Sequence, residues 1–331
     1  MTIRKAISTD RAQIFSLWND SCEKNEVVYK PLTEERFRAL FEENPHYDGE
    51  YDFVAEENGE IIGFISGSEK KIFLPGETRE NTPGFLTAIF VKDGKRKEGI
   101  GKALLNALED AFRSNGKKSV VSSGNNPVNL AWFIPGTPGH DHNNAPGTDV
   151  DCAGYEFLLK NGYKDLHREV AMYLDLSKYE CSPEIEEIRA RLKKEENIYV
   201  GRYDTKWACE FDGMCDRVGS EYWRKVLQDE TAKENPRVIL TGVFENHIVG
   251  FTGPVDKEPS GRGWFTGICV DPNFGKKGIA TVLFNDLMRE FVEEGAQFST
   301  LFTGIDNHAQ RLYKRTGFNV KRTFAIMKKE L

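Results

Sequence analysis

One stretch of this 331-residue chain occurs twice, with every matched position displaced by 179 residues. Leu86-Thr-Ala-Ile-Phe-Val91 leads into Arg96, Gly99, Ile100 and Gly101, and Phe265-Thr-Gly-Ile-Cys-Val270 leads into Gly275, Gly278, Ile279 and Ala280. The same displacement carries Gly116 onto Gly295, where each following apolar-periodic stretch ends. A strand, a glycine turn and an amphipathic helix form one physical device. The first amides of a helix have no intrahelical acceptor, and they converge on a point suited to a phosphate group. Two copies predict two related units, and the chain is long enough for two of roughly 150 residues.

The elements around the repeat recur in the same order. The first half predicts a strand at Ile3 to Ala6, a helix after Thr9-Asp10 and a helical stretch from Thr33 to Glu43. A hairpin about Asn58-Gly59 follows, then the repeated strand and a helix over residues 100–114. The second half predicts a helical connector to Glu196, a strand at Ile198 to Arg202 and helices around Lys206 to Met214 and Glu221 to Leu227. A hairpin about Glu245-Asn246 then leads to the second copy. The expected fold is α/β, with two tandem domains, each a mixed central sheet flanked by helices. Their expected bounds are residues 1–178 and 182–331.

The halves differ most in a stretch from Asn125 to Asp151 that carries four prolines and three glycines. It makes the first half about 24 residues longer between strand and helix than the second. So many breakers predict a lid or a loop in a substrate cleft rather than regular structure. His140, His142, Asp141, Asp149 and Asp151 within it are metal-ligating types, but two histidines two residues apart on an irregular segment do not share a helix face. Asx-type turns account for them, and no metal is expected.

Composition narrows the partners. A net charge of −7 argues against nucleic acid. No run approaches the roughly 18 apolar residues of a membrane span, and the N-terminal residues lack the apolar stretch of a secretory signal. The six cysteines form no Cys-x-x-Cys pair, which points to a reducing cytoplasm rather than a disulfide framework.

The strand ending in Val, the Arg96-x-x-Gly99-x-Gly101 turn and its partner at Gly275, Gly278 and Ala280 resemble the GNAT superfamily of N-acetyltransferases. So does a second signature, Asn307, Ala309, Leu312-Tyr313 and Gly317-Phe318. The resemblance covers nearly the whole chain as two tandem domains. It implies acetyl-CoA as co-substrate and a small-molecule or peptide amine as acceptor. The pyrophosphate would lie on the turn, at Lys276, Lys277, Gly278, Ile279 and Ala280, and in the first copy at Arg96, Gly99 and Gly101. The pantetheine arm would run along Ile268, Cys269 and Val270, with Asn307 and the Tyr313 helix beside it. Tyr313 would act as general acid toward the departing thiolate, since a phenol with an ordinary value near 10 keeps its proton at neutral pH.

The two copies have diverged in opposite directions. Aligning Gly162-Tyr163 with Gly317-Phe318 puts Leu158 where the second half has Tyr313, and leucine donates no proton. The second half has Gly275 where the family has Arg or Gln. Chemistry is therefore expected in the second half, by direct attack of the amine. The first half is left to bind an acyl-CoA, to cover the active site or to support the fold. The competing reading is a non-catalytic acyl-CoA-binding or regulatory protein. Asp256, Glu258, Glu210 and Asp212 are the acids near the cleft in sequence, but none is assigned as general base. Cys269 is expected to be a buried thiol rather than an acyl carrier.

Overall fold

The computed structural model describes residues 1–205 and 211–331. The expected helix start at Lys206 and the candidate acid Glu210 lie outside the described residues. The chain forms two compact units, Met1–Ala171 with Lys321–Leu331, and Met172–Val320.

The first unit contains β1 (Thr2–Lys5), α1 (Arg11–Glu23), β2 (Asp52–Glu57), β3 (Glu60–Glu69), β4 (Gly84–Val91), α2 (Ile100–Ser114), β5 (Ser119–Ser122) and α3 (Ala153–Lys160). β1 to β4 are antiparallel neighbours, with Ile3 opposite Ala55, Val54 opposite Phe64 and Phe64 opposite Phe90. Asn58 and Gly59 both take positive φ, 54° and 82°, the backbone that a two-residue hairpin turn needs. The stretch after Thr33 is helical only from Glu34 to Phe37 and then widens into a π-turn over Arg38–Glu42, with Thr33 capping its start.

Each face of this sheet carries its own core. α2 covers one face with Leu104, Leu108 and Phe112, packed against Ile65 and Leu86. It sits so close that a Cβ on Gly84 would meet the Phe112 ring at 2.6 Å. On the other face, Ile14, Leu17 and Trp18 of α1 pack against Val54, Phe64, Ala88 and Phe90. Val128 and Leu130 join that second core. The breaker-rich stretch is therefore no external lid. It inserts apolar side chains into the unit, and Trp132 within it is 1% exposed.

The C-terminal strand, Asn319–Glu330, belongs to the first unit from Lys321 onward. It runs antiparallel to β5, with Met327 opposite Ser122 and Glu330 opposite Ser119, and it brings Ala325 and Met327 into the α2 core. Lys329 reaches Glu109 of α2 at 2.7 Å. The first sheet thus takes a strand from the far end of the sequence, beyond the half expected at residues 1–178.

The second unit contains α4 (Glu184–Glu195), β6 (Ile198–Arg202), α5 (Phe211–Val218), α6 (Glu221–Thr231), β7 (Leu240–Phe244), β8 (His247–Gly253), β9 (Arg262–Trp264), β10 (Gly267–Val270), α7 (Ile279–Glu293), β11 (Phe298–Gly304) and α8 (Gln310–Arg315). β6, β7, β8 and β10 form an antiparallel sheet in that order. Phe211, Met214, Cys215 and Leu227 cover one face, packing against Val243, Ile248 and Phe251. α7 covers the other so closely that a Cβ on Gly242 would meet Ile279 at 2.9 Å.

Phe324 is fully buried in the middle of the C-terminal strand, packed edge-on against Trp132 at 5.1 Å. Phe324→Ala is expected to destabilise the first unit by about 3–5 kcal/mol, the cost of a buried ring and its cavity. Hydrogen exchange should speed up in β5 and the C-terminal strand while β6 to β8 stay protected. Uniform loss across both units would contradict the assignment of this strand to the first.

Candidate active site

In each unit two parallel strands pair briefly and then part. β4 meets β5 only at Gly84 opposite Val120 and Phe85 opposite Val121, although β4 continues to Val91. β9 meets β11 only at Arg262 opposite Phe298 and Gly263 opposite Ser299. The chain then breaks at Phe265-Thr266 and resumes as β10, whose ladder partner among the described residues is β8, with Gly267 opposite Gly253 and Val270 opposite Gly250. All four residues of β10 are half-buried. Ile268, Cys269 and Val270 therefore line an open sheet edge that leads into the turn.

The break is held by two residues that the sequence reading missed. Trp223 of α6 donates its indole N–H to Thr266 O at 3.3 Å, and Thr252 donates its hydroxyl to Gly267 O at 2.9 Å. A Cβ on Gly267 would meet the Trp223 ring at 2.7 Å, so glycine is required for the indole to lie there. Neither residue belongs to a sequence motif, because each acts through a tertiary contact.

Both turns enter their helices through a left-handed glycine. Gly99 has φ 84° and Gly278 has φ 101°, and Lys97 and Lys276 also take positive φ. Among the described residues, the amides of Lys97 to Lys102 and of Lys276 to Thr281 donate to no protein acceptor, and the helical ladders begin at Ala103 and Val282. Each turn therefore has the donor set of an anion cradle. Ile279 is buried at the helix start, and Ala280 is half-buried beside it.

The cations at the turns are engaged differently. Arg96 forks onto the Glu26 carboxylate, with Nη1 to Oε1 at 2.8 Å, and its Nε donates to Val91 O at 3.1 Å. Lys277 pairs with Glu196, and Lys276 is exposed. Gly101 packs on Phe157, which a Cβ there would meet at 3.3 Å. Asp271, at the end of β10, is buried, paired with Arg217, and accepts from Asn273 N at 2.9 Å, which shapes the entry to the second turn.

Tyr313 of α8 is 8% exposed, its ring 4.9 Å from Phe284 and 6.4 Å from Phe318. Its hydroxyl makes no hydrogen bond to the described residues. Burial pushes the phenol above its ordinary value, so it holds its proton through neutral pH. Asn307 serves as a local cap, its Oδ1 accepting from Ala309 N at 2.9 Å at the start of α8. Burial pushes the Cys269 thiol up to about 12, with Asp271 and the neighbouring Cys215 adding to the rise. A thiol held that firmly is a poor nucleophile.

In the first unit a side-chain amide bonds the start of the corresponding edge. Asn126 donates to Leu86 O at 3.3 Å and to the Thr87 hydroxyl at 3.1 Å. It accepts from the Ser68 hydroxyl at 2.8 Å and from Val128 N at 2.9 Å. One side chain thus spans β3, β4 and the insertion at the point where β4 and β5 part. Leu158, the counterpart of Tyr313, is 2% exposed in the α2 core.

The acids near the second cleft are paired with arginines. Asp256 pairs with Arg237, Glu258 forks onto Arg262 at 2.6 and 2.7 Å, and Asp212 meets Arg224 at 2.8 Å. Among the described residues no group of three metal-ligating side chains converges, and no helix is long and apolar enough to cross a membrane.

The model of the acetyltransferase (GNAT) family matches residues 12–132 and again 203–318. The chain belongs to that family, with one GNAT region in each half. Several solved structures share the fold over 99% of this chain. A GNAT-related glucosamine N-acetyltransferase region of a fungal multi-domain GH3 β-N-acetylglucosaminidase has a TM-score of 0.67 at 16% identity, and the chain spans 38% of that protein. A GNAT-related N-acetyltransferase from Sphaerobacter thermophilus has a TM-score of 0.62 at 17% identity, with 95% of its length covered. A tandem GNAT protein from the clavulanic acid biosynthesis pathway has a TM-score of 0.56 at 13% identity, with 98% covered. No curated protein sequence matches the chain.

The two turn glycines should respond differently to one methyl group. A Cβ on Gly99 meets nothing within 4 Å, whereas one on Gly278 meets Ile188 of α4 at 2.8 Å. Gly99→Ala is expected to cost about 1 kcal/mol for its left-handed backbone, and Gly278→Ala at least about 1 kcal/mol more for the clash. Urea unfolding midpoints of the two variants check this, and equal losses would show that α4 yields freely.

Proposed function

We propose that the second half catalyses transfer of an acetyl group from acetyl-CoA to a primary amine, by direct attack, with Tyr313 as general acid. Family membership supports acyl transfer in general. The observation that carries the finer reading is the contrast between the two clefts. The second keeps a half-buried edge at Gly267–Val270 and carries a buried phenol at Tyr313, while in the first Asn126 bonds Leu86 O at the start of the edge and Leu158 stands in the phenol's sequence place. The first half is accordingly proposed to be non-catalytic.

The chain's own residues divide the work. The amides after Gly275 and the left-handed Gly278 form a cradle for phosphate oxygens, and the β10 edge offers backbone groups to an amide-bearing arm. The thioester supplies an activated acyl carbon. An N–C bond forms from the amine lone pair, the C–S bond breaks, and its electron pair stays on sulfur. Tyr313 Oη then gives that sulfur its proton, the amine loses one to solvent, and the phenolate takes one back from solvent. The Arg-held carboxylates Asp256, Glu258 and Asp212 favour solvent over a side-chain base. The same pairing is what favours the second reading, acyl-CoA binding without catalysis.

A panel of amines with acetyl-CoA, monitored by thiol release, tests the proposal. Tyr313→Phe keeps the ring against Phe284 and Phe318 and removes only the proton. It is expected to lower kcat by about 10²-fold or more and to leave the acetyl-CoA KM within about twofold. Because burial raises the phenol, the wild-type alkaline limb of kcat should lie above pH 10 and vanish in the variant. Turnover at the wild-type rate in Tyr313→Phe would remove the acid role. CoA binding without thiol release from any amine would favour the non-catalytic reading.

A further inference from the structure

We propose that Arg191, carried by the helix that opens the second unit, supplies the guanidinium that the second turn lacks at Gly275 and contacts the pyrophosphate of a CoA thioester. The assignment rests on the reading that this turn holds CoA. Arg191 Nη2 donates to Lys277 O at 2.6 Å and lies 3.4 Å from where a Cβ on Gly278 would stand. Its guanidinium is therefore beside the cradle amides, although the residue is 84 positions before Gly275 in sequence.

The helix is firmly placed. Ile185 and Leu192 are buried, Ile188 abuts Gly278, and Arg189 pairs with Asp286 of α7 while donating to Val200 O at 2.8 Å. Arg191 makes no ion pair among the described residues. One N–H is spent on Lys277 O, which fixes the head group and leaves four N–H donors for an anion. The neighbouring cations suit the role less well: Lys277 is paired with Glu196, and Lys276 is a mobile-ended ammonium rather than a planar fork.

The first turn is the internal contrast. It keeps Arg96 in place, and among the described residues nothing lies within 4 Å of a Cβ on Gly99, whereas Ile188 of α4 lies against Gly278. One copy carries its arginine within the turn. The other receives it from an added helix.

Calorimetric titration of the full chain with CoA, dephospho-CoA and pantetheine tests this. The titrations use a Gly99→Asp background, whose carboxylate repels phosphate at the first turn, where an added Cβ meets nothing within 4 Å. Arg191→Ala is expected to weaken CoA and dephospho-CoA alike by about tenfold, with pantetheine and the melting temperature unchanged. Adding Gly275→Arg to that variant should recover most of the loss. Unchanged CoA affinity would overturn the assignment, as would a loss confined to CoA, which marks a 3′-phosphate contact. An equal loss for pantetheine with a lowered melting temperature would also overturn it, making Arg191 a brace for the turn. If the parent chain binds no CoA at all, both this assignment and the reading beneath it fall.

Discussion

Two parallel strands that pair over two residues and then separate leave a row of amides and carbonyls without ladder partners. Inside a folded unit such groups must be bonded or reachable by solvent, so each unit has to resolve the same backbone problem. The first resolves it with a side-chain amide, since Asn126 satisfies Leu86 O and ties β3 and β4 to the insertion. The second keeps the edge half-buried and caps only the carbonyls at its start, through Trp223 and Thr252. The core assignments follow from that choice. Val128 and Leu130 fill the first unit's α1 face, whereas α6 leans its indole onto Gly267 in the second.

The turns show the same economy with charge. A helix start carries roughly half a positive charge, enough to favour an anion but not to hold it with geometric selectivity. A planar guanidinium adds selectivity only when its donors are uncommitted. Arg96 has the family position, yet its fork is closed on Glu26. An incoming phosphate would have to displace a carboxylate already bonded at two points. At the second turn the position is empty of side chain, and a guanidinium stands nearby without a carboxylate. Retaining a motif residue and retaining its availability are separate matters.

Much of the local structure was legible in the sequence because short-range rules decide it. Asn58-Gly59 and Glu245-Asn246 mark hairpins, and both pairs take positive φ. The apolar spacing after Gly99 marks α2, and the 179-residue displacement marks the two GNAT regions that the family model also finds. The rest depends on contacts between residues far apart in the chain. Asn126 resembles any loop asparagine until it is seen bonded to Leu86 O. Proline and glycine density predicts a lid or a substrate-cleft loop from Asn125 to Asp151, but Val128, Leu130 and Trp132 alternate at a spacing that buries them. The acids near the second cleft looked available in sequence because their arginine partners lie 4 to 19 residues away, on a helix, a loop and a strand.

The strand that runs from Lys321 has a consequence for how the chain comes to be folded. During synthesis the first 171 residues emerge with β5 lacking the neighbour that later pairs with Ser119 to Ser122. The nascent first unit therefore presents an open strand and an incomplete apolar layer for as long as the ribosome is still making the second. The strand from Lys321 closes it. A chain built this way has its first unit finished by a strand that follows the second, so a message cut short within the second unit yields a first unit that is not merely alone but incomplete.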